Sequence, residues 1–181
     1  MDDTLERMEA DALRMMTYGA YVVGAADGDE IAAGTVAWVS QASLTTPPTV
    51  IAVLQKNSHT HALVLRCRRF SINLLSVDQA EIARSFLHHP TQVGDRTLNG
   101  FRYRVERTGA PILEDAPAWI EAELQQVADA SDHDICIATV VHAGVVERLS
   151  DRPLTLRDMG LSYAGTRGAY AHGKGDSAWQ H

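Results

Sequence analysis

The chain has 181 residues, 45% of them hydrophobic, and its 16 basic and 23 acidic residues give a net charge of −7. This length fits one domain with a core of its own, and the negative charge argues against nucleic acid or an anionic membrane as a partner, since both bind positive surfaces. No apolar run approaches the ~20 residues of a membrane helix, and with only two cysteines we expect a soluble, cytoplasmic protein with reduced thiols and no disulfide scaffold.

Strands dominate the elements predicted along the chain. An amphipathic helix is predicted over residues 2–16, and strands over 18–25 and 31–43 flank the turn Asp27-Gly28-Asp29, which predicts a β-hairpin. Further strands are predicted over residues 49–55, 70–76, 101–106, 119–127 and 135–146. The last of these is apolar enough to be buried on both faces. Helices are predicted over 61–68 and from an N-cap at Asp78 to about Phe86, and a surface loop over 88–100.

The predicted fold class is mainly β, a β-barrel with short helices. Many strands without βαβ alternation favour an antiparallel barrel over a doubly wound sheet. One domain is expected over residues 1–181, with its core over about 12–165. Residues 166–181 lose periodicity and predict a flexible tail or an arm across a partner subunit.

Several common catalytic motifs are missing from the sequence. There is no GxxxxGK phosphate loop, no GxGxxG between a strand and a helix, and no GxSxG elbow. The eight histidines, among them His59, His61 and the pair His88-His89, lack the HxxxH or CxxC spacing of a zinc site. We therefore expect surface or loop histidines and no metal.

One candidate binding segment is Asn57-Ser58-His59-Thr60, directly before a predicted helix. The first turn of a helix carries unpaired N–H groups and a partial positive charge. With the hydroxyls of Ser58 and Thr60 added, this turn would suit a phosphate group. The alternative is ordinary N-capping by Ser58 or Thr60, and the segment alone favours that alternative.

Two further segments could meet a flat ring. Hydroxyl and amide groups are spaced along residues 34–43, and a strand running into a loop offers backbone N–H and C=O groups to a heteroaromatic edge. The alternative there is an edge strand made soluble by polar residues. The triplet Asp132-His133-Asp134 could hold an oriented histidine above a bound ring, or it could be only a turn.

Taken in order, these segments resemble the flavin reductase-like family of FMN-binding split barrels over about residues 12–165. The family's opening strand is resembled by Met16-Thr17-Tyr18-Gly19-Ala20-Tyr21-Val22-Val23, and its flavin motif by Thr35-Val36 through Ser43 with Pro47-Pro48. Its phosphate turn is resembled by Asn57-Ser58-His59-Thr60, and the strand after that turn by Phe70-Ser71-Ile72-Asn73-Leu74-Leu75. Its Asp-His segment is resembled by Asp132-His133. The chain departs from the family pattern at Ala37 and Trp38, where two serines are usual, and at Ser131, where glycine is usual.

The resemblance implies an oxidoreductase, an NAD(P)H-dependent flavin reductase that passes hydride from NADH or NADPH to flavin N5, with the cofactor supplying the chemistry. FMN is the implied cofactor and FAD the alternative. The implied catalytic residue is His133, near the exposed ring face. The implied cofactor-binding residues are Thr35, Val36, Ala37, Trp38, Ser40, Gln41, Ser43, Asn57, Ser58, His59, Thr60 and Tyr163.

The resemblance also implies partners. A homodimer is expected, together with a flavin-dependent monooxygenase or an electron-transfer partner, and no nucleic acid or membrane. Two other functions stay open: an electron-transfer flavoprotein reduced by a protein, and a flavin- or haem-binding module without turnover. A pyridoxamine-phosphate oxidase-like barrel is a neighbouring alternative, but the sequence has no basic phosphate cluster suited to it.

Overall fold

The structure is a computed structural model that describes residues 8, 11–13, 15–87, 90–146 and 152–161. Its strands are β1 Tyr21–Asp27, β2 Glu30–Val36, β3 Val39–Gln41, β4 Thr49–Gln55, β5 Arg69–Leu74, β6 Val93–Gly94, β7 Thr97–Leu98, β8 Phe101–Val105, β9 Pro111–Leu113, β10 Ala118–Ala130 and β11 His133–Val145. Residues 8 and 11–13 are helical, and the helices described over their full length are α1 His59–Cys67 and α2 Ala80–Ser85, the second preceded by a 3₁₀ turn over Val77–Gln79. The predicted mainly β fold is confirmed. No helix in these ranges is long and apolar enough to cross a membrane.

Seven strands form one antiparallel sheet in the order β2-β1-β5-β10-β11-β4-β3. Strands β2 and β3 lie at opposite edges of this sheet, yet only Ala37 and Trp38 separate them along the chain. Two residues span only ~7 Å, so the sheet curls into a half-barrel until its edges meet. The single strand predicted over 31–43 is therefore wrong, because the chain changes edges after Val36.

The predicted first hairpin is confirmed. Asp27 pairs with Glu30, which leaves a loop of two residues between β1 and β2. Gly28, the first of them, has a φ of 61°, as a tight hairpin turn of the II′ kind requires. The strands run longer toward this turn than the sequence predicted, because cross-strand pairing continues to the last residue before it.

A second, smaller sheet has the order β6-β7-β8-β9. The surface loop predicted over 88–100 is wrong for its second half, where β6 and β7 form a short hairpin and Leu98 is fully buried. Strand β9 was not predicted from the sequence. The helix cap predicted at Asp78 is also wrong, since Gln79 is the N-cap of α2 and Ser76 is that of the preceding 3₁₀ turn, where the Ser76 amide donates to Gln79 Oε1 at 3.0 Å.

Alternation along β1 divides the core into two layers. Val22 and Val23 are both fully buried, but they belong to different hydrophobic clusters because successive strand residues face opposite sides of the sheet. The inner cluster packs α1 into the curl of the main sheet, with members such as Leu63. The outer cluster packs α2, the small sheet and residues 152–161 against the other face.

Strand β11 is only partly buried. Its first half follows the prediction of a buried strand, with Cys136 and Ala138 fully enclosed, but Val145 near its end is 63% exposed. The apolar run alone could not reveal this difference, because β-branched residues also occur on exposed strands. The predicted tail over 166–181 lies outside the described residues.

Candidate functional site

The segment predicted to bind phosphate forms the N-terminus of helix α1. Ser58 is the N-cap, and its Oγ accepts a hydrogen bond from the amide of His61 at 3.2 Å. This capping uses an oxygen lone pair and leaves the hydroxyl hydrogen as a donor. The amides of His59 and Thr60 lie in the first turn, where the helix has no carbonyl to accept from them. Capping and anion binding are thus compatible in this turn.

Strand β2 meets this turn directly. A Cβ atom placed on Gly34 would lie 3.2 Å from Thr60 Oγ1, so any larger residue at position 34 would press on that hydroxyl. Thr60 is 6% exposed, and its side chain is held between the helix and the strand. The two segments that the sequence assigned separately to a ring and to a phosphate therefore adjoin in the fold.

Trp38 and His133 form the other side of the same region. Their ring centroids are 4.9 Å apart, with the planes at 63° to each other. His133 is the cross-strand partner of Gln55, at the end of the strand that leads into the α1 turn. Trp38 is bound to the same strand, since its carbonyl accepts a hydrogen bond from Val53 N at 2.9 Å. Trp38, His133 and the start of α1 thus all lie around the end of β4.

The orientation of His133 is set by its neighbour Asp132. Nδ1 of the imidazole lies 2.8 Å from Asp132 Oδ1, with the histidine side chain 11% exposed and the aspartate 83% exposed. This hydrogen bond lowers the pKa of Asp132. With Nδ1 engaged, Nε2 is the ring nitrogen that can meet a ligand. Ser131, in the turn before it, has a φ of 66°, a conformation that glycine adopts more readily than serine.

Other predicted site residues have structural partners. The hydroxyl of Thr35 donates to the carbonyl of Ala83 in α2 at 2.5 Å. Ser43 Oγ accepts from the amide of Thr49 at 2.8 Å and so closes the loop between β3 and β4. At the end of β3, the Ser40 side chain donates to the Gln41 carbonyl at 3.1 Å, and the Gln41 side chain donates to the Ser43 carbonyl at 2.7 Å. The side chains of Thr35, Ser40 and Gln41 therefore each donate a hydrogen bond within the protein.

The remaining predicted site residues divide into four groups. Val36 packs on the inner cluster and Ala37 belongs to the outer one, while Asn57 supplies the backbone turn before α1 with a φ of 68°. The His59 side chain contacts Glu30 instead, with its Nε2 2.6 Å from Glu30 Oε1. Tyr163 lies outside the described residues.

Sequence reasoning missed a buried pair beside this region. His61 Nε2 lies 2.8 Å from Asp134 Oδ2, and the two side chains are only 10% and 12% exposed. The interpretation of the histidines as surface or loop residues is therefore wrong for His61. Positions two apart on a helix face different directions, so His59 reaches solvent while His61 is buried. No local signal connects residues that are 73 positions apart.

A second cluster lies toward the other end of the β10–β11 hairpin, where His142 is the cross-strand partner of Glu121. His142 Nε2 contacts Glu106 Oε2 at 2.8 Å, and the ligand-type atoms of the three residues lie within 4.8 Å of one another. Both carboxylates already have donors: Arg104 Nε lies 2.9 Å from Glu106, and Thr108 donates to Glu121 through its amide and hydroxyl at 2.8 and 2.6 Å. The cluster therefore ties the segment after β8 to the main sheet.

Comparison with known proteins identifies relatives of the chain. A family model described as a flavin reductase like domain matches residues 13–165. A curated relative, high molecular weight rubredoxin of Moorella thermoacetica, is 31% identical over 152 residues, which cover 82% of this chain and 64% of the relative. The chain thus spans less than two thirds of that longer protein.

Solved structures show the same fold. The FMN-binding protein from Thermus thermophilus, solved with bound p-hydroxybenzaldehyde, superposes with a TM-score of 0.69 at 28% identity, over 78% of this chain and 79% of that one. The styrene monooxygenase flavin reductase from Pseudomonas putida S12 superposes with a TM-score of 0.64 at 26% identity, over 75% and 85%. The half-barrel described above is therefore a split barrel of the kind found in these flavin proteins.

Proposed function

The chain belongs to the flavin reductase-like family, and from this we propose that it is an oxidoreductase that binds FMN noncovalently and passes hydride from NADH or NADPH to the flavin. The observation that carries the proposal is the close approach of β2 at Gly34 to the hydroxyl of Thr60, where a Cβ atom would lie 3.2 Å from the oxygen. It brings a strand suited to a ring against a helix start suited to a phosphate. The matched family model covers both segments and confirms the resemblance found in the sequence.

The residues at the start of α1 fit a phosphate group. Ser58 and Thr60 offer two hydroxyl donors, and the first-turn amides add the positive end of the helix dipole. The cations on either side, Lys56 and Arg66, are bound to carboxylates: Lys56 to Asp129 at 2.6 Å, and Arg66 to Asp27 at 2.6 Å. Hydroxyls and amides, and not a bare cation, would therefore hold the phosphate.

The residues around the end of β4 fit a planar ring. Backbone groups from Val36 to Ser40 would meet its polar edge, and N–H donors there would stabilise negative charge that develops on reduction. Trp38 would cover the ring, and His133, held by Asp132, would place a nicotinamide beside it. When bound, the flavin would supply the redox chemistry, which these side chains lack.

The finer assignments rest on the relatives. FMN is preferred over FAD because one structural neighbour is an FMN-binding protein. A flavin-dependent monooxygenase is the proposed kind of partner, because another neighbour is the flavin reductase of a styrene monooxygenase. A homodimer is proposed, with Val145 and Val146 as exposed apolar residues it could cover. The free thiols of the two cysteines support a reducing, cytoplasmic location.

The test is spectroscopic. The purified protein should carry, or take up, a yellow flavin, and anaerobic addition of NADH or NADPH should bleach it. Comparing the two nucleotides identifies the donor. A colourless protein that cannot bind added FMN would refute the proposal. A bound flavin that neither nucleotide bleaches would refute reductase activity and would favour an electron-transfer flavoprotein or a module without turnover.

A further inference from the structure

Helix α1 is joined to the start of β11 by the buried pair His61–Asp134. The contact is 2.8 Å long and both side chains are about nine-tenths buried. His61 is the third residue of the helix, so the pair acts on the turn that carries Ser58 and Thr60. At low effective dielectric such a bond is stronger than it is at the surface.

A second set of contacts joins the same two regions. The amide of Lys56, between β4 and α1, donates to the carbonyl of Asp132 at 3.0 Å. Its ammonium lies 2.6 Å from Asp129 and 3.5 Å from Asp134 Oδ1. Both oxygens of Asp134 therefore face groups from the segment that carries the proposed phosphate turn.

The neighbours of the pair are the residues whose relative position matters for a bound ligand. Thr60 precedes His61 directly, and His133 precedes Asp134 directly. Because successive residues of a strand face opposite sides, Asp134 contacts the helix while His133 faces Trp38 on the other side. A shift of α1 along β11 would therefore change the distance between the phosphate turn and His133.

We propose that His61 and Asp134 are positioning residues that hold the phosphate-binding turn in register with His133. This inference rests on the proposed function, because it assigns the pair a role in FMN binding. The two residues would not touch the ligand, but they would affect the binding of its phosphate group and not that of its ring.

The test compares FMN with riboflavin, which has the same ring but no phosphate. The double variant His61→Leu/Asp134→Leu removes the bond without leaving a buried polar group unpaired. His61→Phe is a second variant that keeps a ring in place and leaves Asp134 with Lys56. Circular dichroism and thermal unfolding verify the fold of each, and the ratio of the riboflavin and FMN dissociation constants is measured.

We expect this ratio to fall on the order of tenfold in both variants, while riboflavin affinity stays near that of the native protein. Removing the Asp134 carboxylate by itself would strengthen the binding of a phosphate dianion and so raise the ratio. A lower ratio in the double variant would therefore reflect lost positioning and not the change in charge. A merely structural role would weaken both ligands together and leave the ratio unchanged. In the variant Asp134→Asn the amide oxygen can still accept a hydrogen bond from His61, so this variant should keep most of the native ratio.

The matched control is His142→Leu, which breaks a histidine–carboxylate bond of the same 2.8 Å at the other end of the hairpin. It should keep the native ratio. Folded variants of the His61–Asp134 pair that also keep the native ratio overturn the inference, while the proposed function stands. If the native protein binds neither flavin, the proposed function fails and the inference falls with it.

Discussion

Two histidine–carboxylate pairs lie toward opposite ends of the β10–β11 hairpin, and they differ in burial and not in length. His61–Asp134 and His142–Glu106 both measure 2.8 Å. The first pair is 10% and 12% exposed, whereas the second is 39% and 28% exposed. Exposed pairs contribute ~0–1 kcal/mol to folding, but removing one partner of a buried pair leaves a charge that water cannot reach. A bond of the same length should therefore contribute little to folding stability at the exposed end of the hairpin and much more at the buried end.

The two pairs also differ in what they connect. His142–Glu106 joins residues 36 apart, and Glu106 also contacts Arg104 at 2.9 Å, whereas the second contact of Asp134, with Lys56, is longer at 3.5 Å. His61–Asp134 joins residues 73 apart, on the helix and the strand that border the proposed site. Burial and sequence separation together mark the end of the hairpin where a substitution should affect function.

The largest expected effect comes from His61→Ala. It leaves the Asp134 carboxylate buried with Lys56 as its remaining partner, so we expect the free energy of unfolding to fall by ~2–4 kcal/mol. Urea unfolding followed by circular dichroism measures this. A loss below ~1 kcal/mol would show that the buried pair contributes no more to the free energy of unfolding than an exposed pair does.

The double variant Ser58→Ala/Thr60→Ala tests the proposed phosphate turn, which lies beside the buried pair. We expect FMN binding to weaken by ~1–3 kcal/mol, because two donors to the phosphate are lost. Titration followed by flavin fluorescence measures the affinity. The control is Ser85→Ala, which removes a hydroxyl that bonds to the Ile82 carbonyl within α2. Unchanged FMN affinity in the double variant would remove both hydroxyls from the site.

At the far end, His142→Ala should reduce the free energy of unfolding by less than ~1 kcal/mol. Glu106 keeps Arg104 as its partner, so no charge is left alone. FMN affinity should equal that of the native protein. A loss similar to that of His61→Ala would contradict the argument from burial, and the same urea experiment decides it.

The smallest effect concerns acid pH at the same end. Hydrogen bonding from Arg104, and then from His142, lowers the pKa of Glu106 below its ordinary 4.5. The carboxylate therefore stabilises the fold above that pH, and its contribution is lost as the pH falls through the lower folded value. Glu106→Gln should flatten the pH dependence of unfolding below about pH 4.5. An unaltered profile would show that Glu106 contributes nothing there.

Much of the fold could be predicted from patterns among residues that are close together in the sequence. The turn at Gly28 identified the first hairpin, and a period of two identified β10, because both depend on neighbours in sequence. The change of edge at Ala37-Trp38 could not be predicted in this way, since a strand pattern does not record which strand it pairs with. Leu98 was assigned to a surface loop because the turn residues around it concealed its packing.

The residues of the candidate site were chosen from local patterns in the same way. The hydroxyl turn and His133 were found from their patterns, and the structure brings the turn against β2 and His133 against Trp38. Asp132, which orients His133, was part of the predicted triplet, but the long-range partners of other residues in this region were not found. Thr35 bonds to Ala83 and His61 to Asp134, and such contacts between distant residues follow from the packing of whole elements.

The two-residue link between β2 and β3 places the proposed ring site at the seam of the curled sheet. Trp38 lies in the seam where the sheet edges meet, and it also borders the proposed ring site. A flavin bound as proposed would contact groups on both sides of the seam, so FMN should bind the folded sheet and not the unfolded chain. By mass action, a ligand at 100 times its dissociation constant adds ~2.7 kcal/mol to the stability of the folded state. The melting temperature of the protein should therefore rise with FMN concentration.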